Sequence, residues 1–162
     1  MRMVVLAGPP CSGKTTLAHQ VAQPGDVVLD YDDIARALGS PVHWRHPEPY
    51  RTQAEHLMQH RIRQAHAHPS TATAWILRTT PRPHQRAALA HTYRATVYLL
   101  NPGRRVCEAR ATTDHRPSGT RRAIGEWYSR YTPWVDDRDP HELSTVTHKA
   151  EGMMTSVDLG SV

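Results

Sequence analysis

From Met3 to Thr16 the chain reads Met-Val-Val-Leu-Ala-Gly-Pro-Pro-Cys-Ser-Gly-Lys-Thr-Thr, and no other stretch restricts the fold as tightly. Val4, Val5 and Leu6 form an apolar run too short for a helix and β-branched enough for a buried parallel strand. Gly8, Gly13, Lys14 and Thr15 then fall on the phosphate-loop pattern GxxxxGK[ST], and Thr16 to Ala22 opens a helix. The spacing has a physical cause. Backbone N–H groups must turn inward to hold a phosphate, and glycine at both ends of the loop permits the turns and the close approach. The helix that follows offers unsatisfied N–H groups and a positive dipole end to the same anion. The pattern predicts that Gly8, Pro9, Pro10, Cys11, Ser12, Gly13, Lys14, Thr15 and Thr16 surround the phosphates of ATP or another nucleoside triphosphate. Lys14 is expected to reach the β- and γ-phosphates, and the Thr15 hydroxyl to ligate Mg²⁺.

The remaining chain alternates strands with helices, which implies a parallel sheet with right-handed crossovers. Val27-Val28-Leu29 is a second strand and runs into Asp30-Tyr31-Asp32-Asp33; a short helix is expected from Ile34 to Leu38. A Pro- and His-rich connector, His43 to Pro49, precedes a longer helix from Tyr50 to about His66. Tyr50, Ala54, Leu57, Met58, Ile62 and Ala65 mark its apolar stripe. Ala72 to Leu77 is the third strand, Pro83 to Tyr93 a helix, and Ala95 to Leu100 the fourth strand. A basic helix then carries Arg104, Arg105, Cys107 and Arg110, and the polar insert 112–117 separates it from a last helix, Ser118 to Tyr131. The expected architecture is an α/β P-loop sandwich with a four- to five-stranded parallel sheet. Residues 1–134 form the domain, 104–124 its helical lid, and 135–162 a loosely held tail.

Composition narrows the setting. The 162 residues suit one domain with a single core, and the formal charge of +5 fits a polyanionic partner. Lys14 and Lys149 are the only lysines, so the positive charge is nearly all arginine, a bias that a GC-rich genome also produces. No run reaches the length of a membrane span, and the chain opens on a strand rather than an apolar leader. Cys11 and Cys107 have no metal or redox spacing, which points to a reducing cytoplasm.

Chemistry follows from what accompanies the phosphate loop. A guanine-specificity run of the Asn-Lys-x-Asp type is missing, and the third strand ends Leu77-Arg78-Thr79, with no acid to polarise a hydrolytic water. The acids after the second strand and the arginines near the chain's end suit a small kinase: a carboxylate takes a hydroxyl proton while a lid brings arginine onto phosphate. Open α/β sheets bind ligands at the carboxyl ends of their strands, which places Asp30, Asp32 and Asp33 on the rim of the phosphate loop. On an extended strand end Asp30 and Asp32 point the same way and Asp33 the other. Asp33 then reads as a helix-capping or first-turn acid, and Asp30 as either a partner of the metal or a strand-end acceptor. A nucleotide-binding regulator or slow ATPase component is the alternative from another class.

The runs GPPCSGKTT, LDYDDIARAL, RTTPRPHQR, NPGRRVCEARATTDHRP and WYSRY resemble the phage-type polynucleotide 5′-hydroxyl kinases and the small P-loop kinases around them, over roughly residues 1–134. The resemblance implies that Asp32 is the general base and that Arg110 and Arg116 contact the donor phosphates. It implies a nucleic acid or nucleotide acceptor near Asp32, Arg36 and Arg78. The family arginine for an acceptor 3′-phosphate falls on Ala35, with Arg36 one position on, a rotation of about 100° on a helix. A family aspartate after the third strand is replaced around Thr79. A hydroxyl on a modified DNA base or a free nucleoside therefore stays open as acceptor.

Other features carry two readings. His56 with His60 and His66 with His68 have metal-compatible spacings, but no HExxH run or third acidic ligand accompanies them. Trp127, Tyr128, Tyr131 and Trp134 suit base stacking or, for the first three, anchoring of the last helix on the sheet. Arg121 and Arg122 suit a nucleic-acid backbone or a solvated helix face.

Overall fold

A computed structural model describes residues 1–143. β1 (Arg2–Ala7) is flanked by β3 (Thr73–Arg78) and β4 (Thr96–Leu99), and β2 (Val27–Leu29) pairs with the outer side of β3. Every pairing is parallel, in the order β2-β3-β1-β4. The helices are α1 (Lys14–Val21), α2 (Tyr31–Ala37), α3 (Tyr50–Ala67), α4 (Pro83–Tyr93), α5 (Arg104–Thr113) and α6 (Gly119–Arg130).

The alternation of β1 divides the core. Met3, Val5 and Ala7 face a cluster built by Ile34 and Ala35 of α2 and by Ala54, Met58, Ile62 and Ala65 of α3. Val4 and Leu6 face Ala18 and Val21 of α1, with Trp75, Leu77, Leu100 and Leu143. Both faces of the sheet are covered, as an all-parallel sheet requires. The expected stripe of α3 is the buried one, with Tyr50 and Leu57 at its half-buried edge. A third, smaller cluster of Cys107, Ala111 and Ile124 joins α5 to α6.

Two expectations change. α2 begins at Tyr31, not Ile34, because the Asp30 carboxylate caps it by accepting from the Asp32 N–H at 2.9 Å. Asp32 and Asp33 are therefore first-turn helix residues, and an extended-strand alternation does not describe where they point.

The second change is in the tail, whose described part is packed rather than loose. Arg138 donates its N–H to the Val97 carbonyl at 2.9 Å and accepts from the Leu99 N–H at 3.0 Å, a one-residue parallel bridge on the edge of β4. Arg86 of α4, fully buried, secures the approach to that bridge. It grips both oxygens of Asp137 at 2.7 Å and donates to the carbonyls of Thr80, Pro81 and Thr132 at 3.0, 2.8 and 2.7 Å. The tail beyond 143 lies outside the described residues. Among the described residues no helix is long and apolar enough to cross a membrane.

Candidate active site

The carboxyl ends of the strands open into one cleft of about 2170 Å³. The phosphate loop, the start of α2, the connector to α3, the lid and residues 137–141 line it.

The phosphate loop is shaped by contacts that few sequences allow. A Cβ at Gly8 would lie 2.4 Å from the Leu100 carbonyl oxygen, a backbone atom that cannot give way. Gly13, at φ +99, turns the chain into α1, which has neither a side-chain cap nor an acid in its first turn. The leading N–H groups of α1 are thus left to an anion. Lys14 Nζ donates to the carbonyls of Gly8 at 3.0 Å and Pro9 at 2.7 Å and to Ser12 Oγ at 3.3 Å. These acceptors are uncharged, and burial pushes the Lys14 ammonium down to about 8.

Thr15 sits on the exposed side of the loop, and its hydroxyl donates to Asp30 Oδ2 at 2.8 Å. A hydroxyl and a carboxylate side by side are the hard oxygen donors that Mg²⁺ takes alongside substrate phosphates and water. Asp30 also caps α2, so of the two roles expected for it the structure shows the hydrogen-bond acceptor at the strand's end. Among the described residues no group of three or more His, Cys, Asp and Glu side chains could hold a metal.

Asp32 follows in the cleft wall. Burial raises its carboxyl above the usual range, the Asp30 charge adds to this, and a hydrogen bond from His46 at 3.2 Å opposes both. Its neighbour Asp33 is tied to Arg36 on the same helix. Arg36 is paired with Asp33 and is not among the residues that line the cleft. Arg78 does line the cleft, but it forms a two-bonded fork on Glu55 at 2.9 and 3.0 Å. Burial favours the neutral Glu55 carboxyl, yet the bonds from Arg78 and Gln59 hold it below its ordinary range.

From the lid, Arg110 Nη1 reaches the Ser12 carbonyl at 2.9 Å, which lays α5 against the phosphate loop. Arg116 stacks over Trp44 at 3.9 Å from the ring centre, and its buried Nε, 3.7 Å from Asp114 Oδ2, has no hydrogen-bond partner among the described residues. Trp127 stacks on Tyr131 at 4.8 Å and Tyr128 bonds Asn101 at 2.9 Å. These aromatics anchor α6 on α5 and on the Arg86 clasp rather than on the sheet. Arg122 bonds Glu126 and Arg121 bonds Thr112, both at 2.8 Å on exposed helix surface. His66 packs edge-on against Tyr93.

Sequence reasoning missed Trp44, Arg45 and Glu55, which line the cleft, and His46, which is buried against Asp32. Arg45 lies against Gly119, so that any side chain added there would meet its guanidinium, and the connector thereby supports the lid.

The model of one family, the AAA domain, matches residues 3–132. No curated protein matches the sequence. Among solved structures, a shikimate kinase from Acinetobacter baumannii in complex with shikimate superposes with a TM-score of 0.57 at 16% identity, covering 98% of this chain and 96% of that one. A sugar kinase from Janibacter sp. gives 0.56 at 17% identity, covering 99% of each chain. A shikimate kinase from Aquifex aeolicus gives 0.51 at 17% identity, covering 96% and 99%. The last three share the fold with this chain.

Proposed function

The chain belongs to the AAA domain family, and on that premise we propose that it is an ATP-dependent P-loop kinase that transfers the γ-phosphoryl group to an alcohol hydroxyl. One observation carries the reading: Asp32 stands in the same cleft as the phosphate loop, two residues from the Asp30–Thr15 pair. In this mechanism Lys14 leaves its carbonyl partners for the β- and γ-phosphates, and the N–H groups of α1 hold their oxygens. Thr15 and Asp30 would hold Mg²⁺, which supplies neutralisation of the phosphate charge. Asp32 accepts the proton of the acceptor hydroxyl, whose oxygen bonds to the γ-phosphorus as the bond to the ADP oxygen breaks. Arg110 and Arg116 bring positive charge from the lid to the transferring group.

For the acceptor, the formal charge of +5 and the resemblance of the motifs support a hydroxyl of a nucleic acid. A small polar alcohol is the second reading. It is favoured by the ion pairs within the cleft, where Arg78 is held by Glu55 and Arg51 by Glu48. Those cations are compensated and serve a backbone poorly.

Incubation with γ-labelled ATP and a panel of 5′-hydroxyl DNA and RNA oligonucleotides, nucleosides, sugars and hydroxy acids separates the two readings. A polymer acceptor should lose affinity with salt at a log–log slope of about −0.7 per phosphate contact on single strands. Asp32→Asn should keep nucleotide binding and lower turnover by about 10²–10⁴-fold. Label released only as free phosphate would favour the regulator or ATPase class instead.

A further inference from the structure

Asp32 is held by a residue that the proposed reaction does not otherwise use. His46, in the connector between α2 and α3, is 2% exposed. Its Nε2 lies 3.2 Å from Asp32 Oδ1, its Nδ1 2.8 Å from Ser40 Oγ, and Tyr31 packs edge-on against the ring. Ser40 is itself fixed by the end of α2. The Gly39 N–H donates to the Arg36 carbonyl at 2.9 Å and the Ser40 N–H to the Ala35 carbonyl at 3.1 Å, with Gly39 at φ +93. That paired closure of a helix end needs a left-handed residue, which glycine supplies without strain. The connector thus returns from the last turn of α2 to its first, and His46 bridges the two.

The protons on the ring follow from its neighbours. Nε2 faces a carboxylate, which in its ionised form only accepts, so Nε2 carries the hydrogen. In the neutral ring Nδ1 then accepts from the Ser40 hydroxyl, and in the charged ring it donates to that oxygen. Both forms aim Nε2–H at Asp32. The contact has a purpose because a first-turn aspartate has a competing choice, turning back onto the N–H groups of its own helix.

We propose that His46 is the positioning residue of Asp32: its Nε2–H fixes Oδ1 and leaves Oδ2 as the oxygen available to the acceptor hydroxyl. The inference rests on Asp32 being the base. Displacing a reacting group by about 1 Å can cost ~10²-fold in rate, which is the scale on which such an anchor acts.

The test uses the full chain with His46→Leu, His46→Gln and His46→Asn. Nitrogen NMR of the wild-type ring should show Nε2 protonated; a ring protonated at Nδ1 alone overturns the proposal. Glutamine can place its amide N–H near the Nε2 position, so crystals of His46→Gln should keep the Asp32 rotamer and those of His46→Leu should lose it. In turnover with γ-labelled ATP and the acceptor panel, His46→Leu should lower kcat by about 10–10²-fold with KM for ATP unchanged, and His46→Gln should restore most of it. Should the leucine variant not fold, His46→Asn decides: its shorter amide stops short of Oδ1, so the Asp32 rotamer and kcat should be lost as with leucine, and an unchanged rotamer with unchanged kcat overturns the role. If Asp32→Asn retains turnover, the base assignment fails while the ring measurement stands. If Asp32→Asn is inactive but His46→Leu keeps both rotamer and kcat, only the positioning role fails.

Discussion

Two cations of this chain are withdrawn from bulk water, and the structure treats them in opposite ways. Arg86 has a full-charge partner in Asp137 and three further carbonyl acceptors, so that each arm of its guanidinium is engaged. Lys14 rests on two carbonyls and a hydroxyl, with no carboxylate in hydrogen-bond contact among the described residues, and burial depresses its ammonium to about 8. The first arrangement is closed and joins α4 to the tail beside the sheet. The second is open: its partners are weak, and an arriving phosphate is a better one than any of them. A cation with complete compensation is a fastener, whereas one with partial compensation is held ready for a ligand.

Replacing Lys14 is the strongest test of that contrast. Lys14→Met should reduce phosphoryl transfer by at least about 10³-fold while leaving the thermal midpoint near that of the wild type, because the lost cation serves the ligand and not the fold. Turnover within tenfold of the wild type would break the comparison on its functional side.

Arg86→Met should act the other way. Removing one partner of a buried ion pair costs about 3–5 kcal/mol, and here three carbonyls lose their donor as well. Urea unfolding should show that loss. Asp137→Asn should cost less, since the guanidinium keeps its carbonyl acceptors. Equal losses in the two variants would mean that the carbonyl bonds contribute nothing.

How far the sequence revealed these two cations depended on the range of their partners. Lys14 lies in a motif whose strand, loop and helix are contiguous, so both its place and its purpose were legible. Arg86 sits among many arginines, and its partner is 51 residues away in a stretch without periodicity. No local pattern marks that pairing, and the packed tail was lost with it. His46 was hidden in the same way among twelve histidines, because only the return of the connector places it on Asp32. The start of α2 was legible in principle, since an Asp two residues before another acid is a common helix cap. Reading the acids as a strand end obscured it. Arg36 was placed near the acceptor by resemblance alone, and its ion pair with Asp33 takes it elsewhere.

Arg110 lies between the two extremes and sharpens the rule. It touches the carbonyls of Cys11 and Ser12, as Lys14 touches those of Gly8 and Pro9, but from the lid and without burial of the whole side chain. Arg110→Ala should lower kcat by about 10²-fold, comparable to loss of one preorganised donor, with a smaller effect on acceptor affinity. A crystal with bound nucleotide in which Arg110 still rests on Ser12, joined with unchanged kinetics, would make it a fastener of the lid.

The smallest effect expected is a proton. The free protein holds the Lys14 ammonium down to about 8, against an ordinary value of 10.5. Between those values the unfolded chain binds more protons than the folded one, so the Lys14 contribution to stability rises with pH across that window and is lost as pH falls through about 8. A bound triphosphate reverses the local balance by giving the ammonium a charged partner. Binding should then take up protons above pH 8, a fraction of one that grows as pH rises, if the bound lysine is fully charged. Affinity should decline over the same range. Calorimetry with a non-hydrolysable ATP analogue, in two buffers of different ionisation enthalpy, reads that uptake directly, and Lys14→Met removes the lysine's share. Uptake near zero in the wild type would mean that the ammonium is already fully charged in the free loop, and that Lys14 is as well compensated as Arg86.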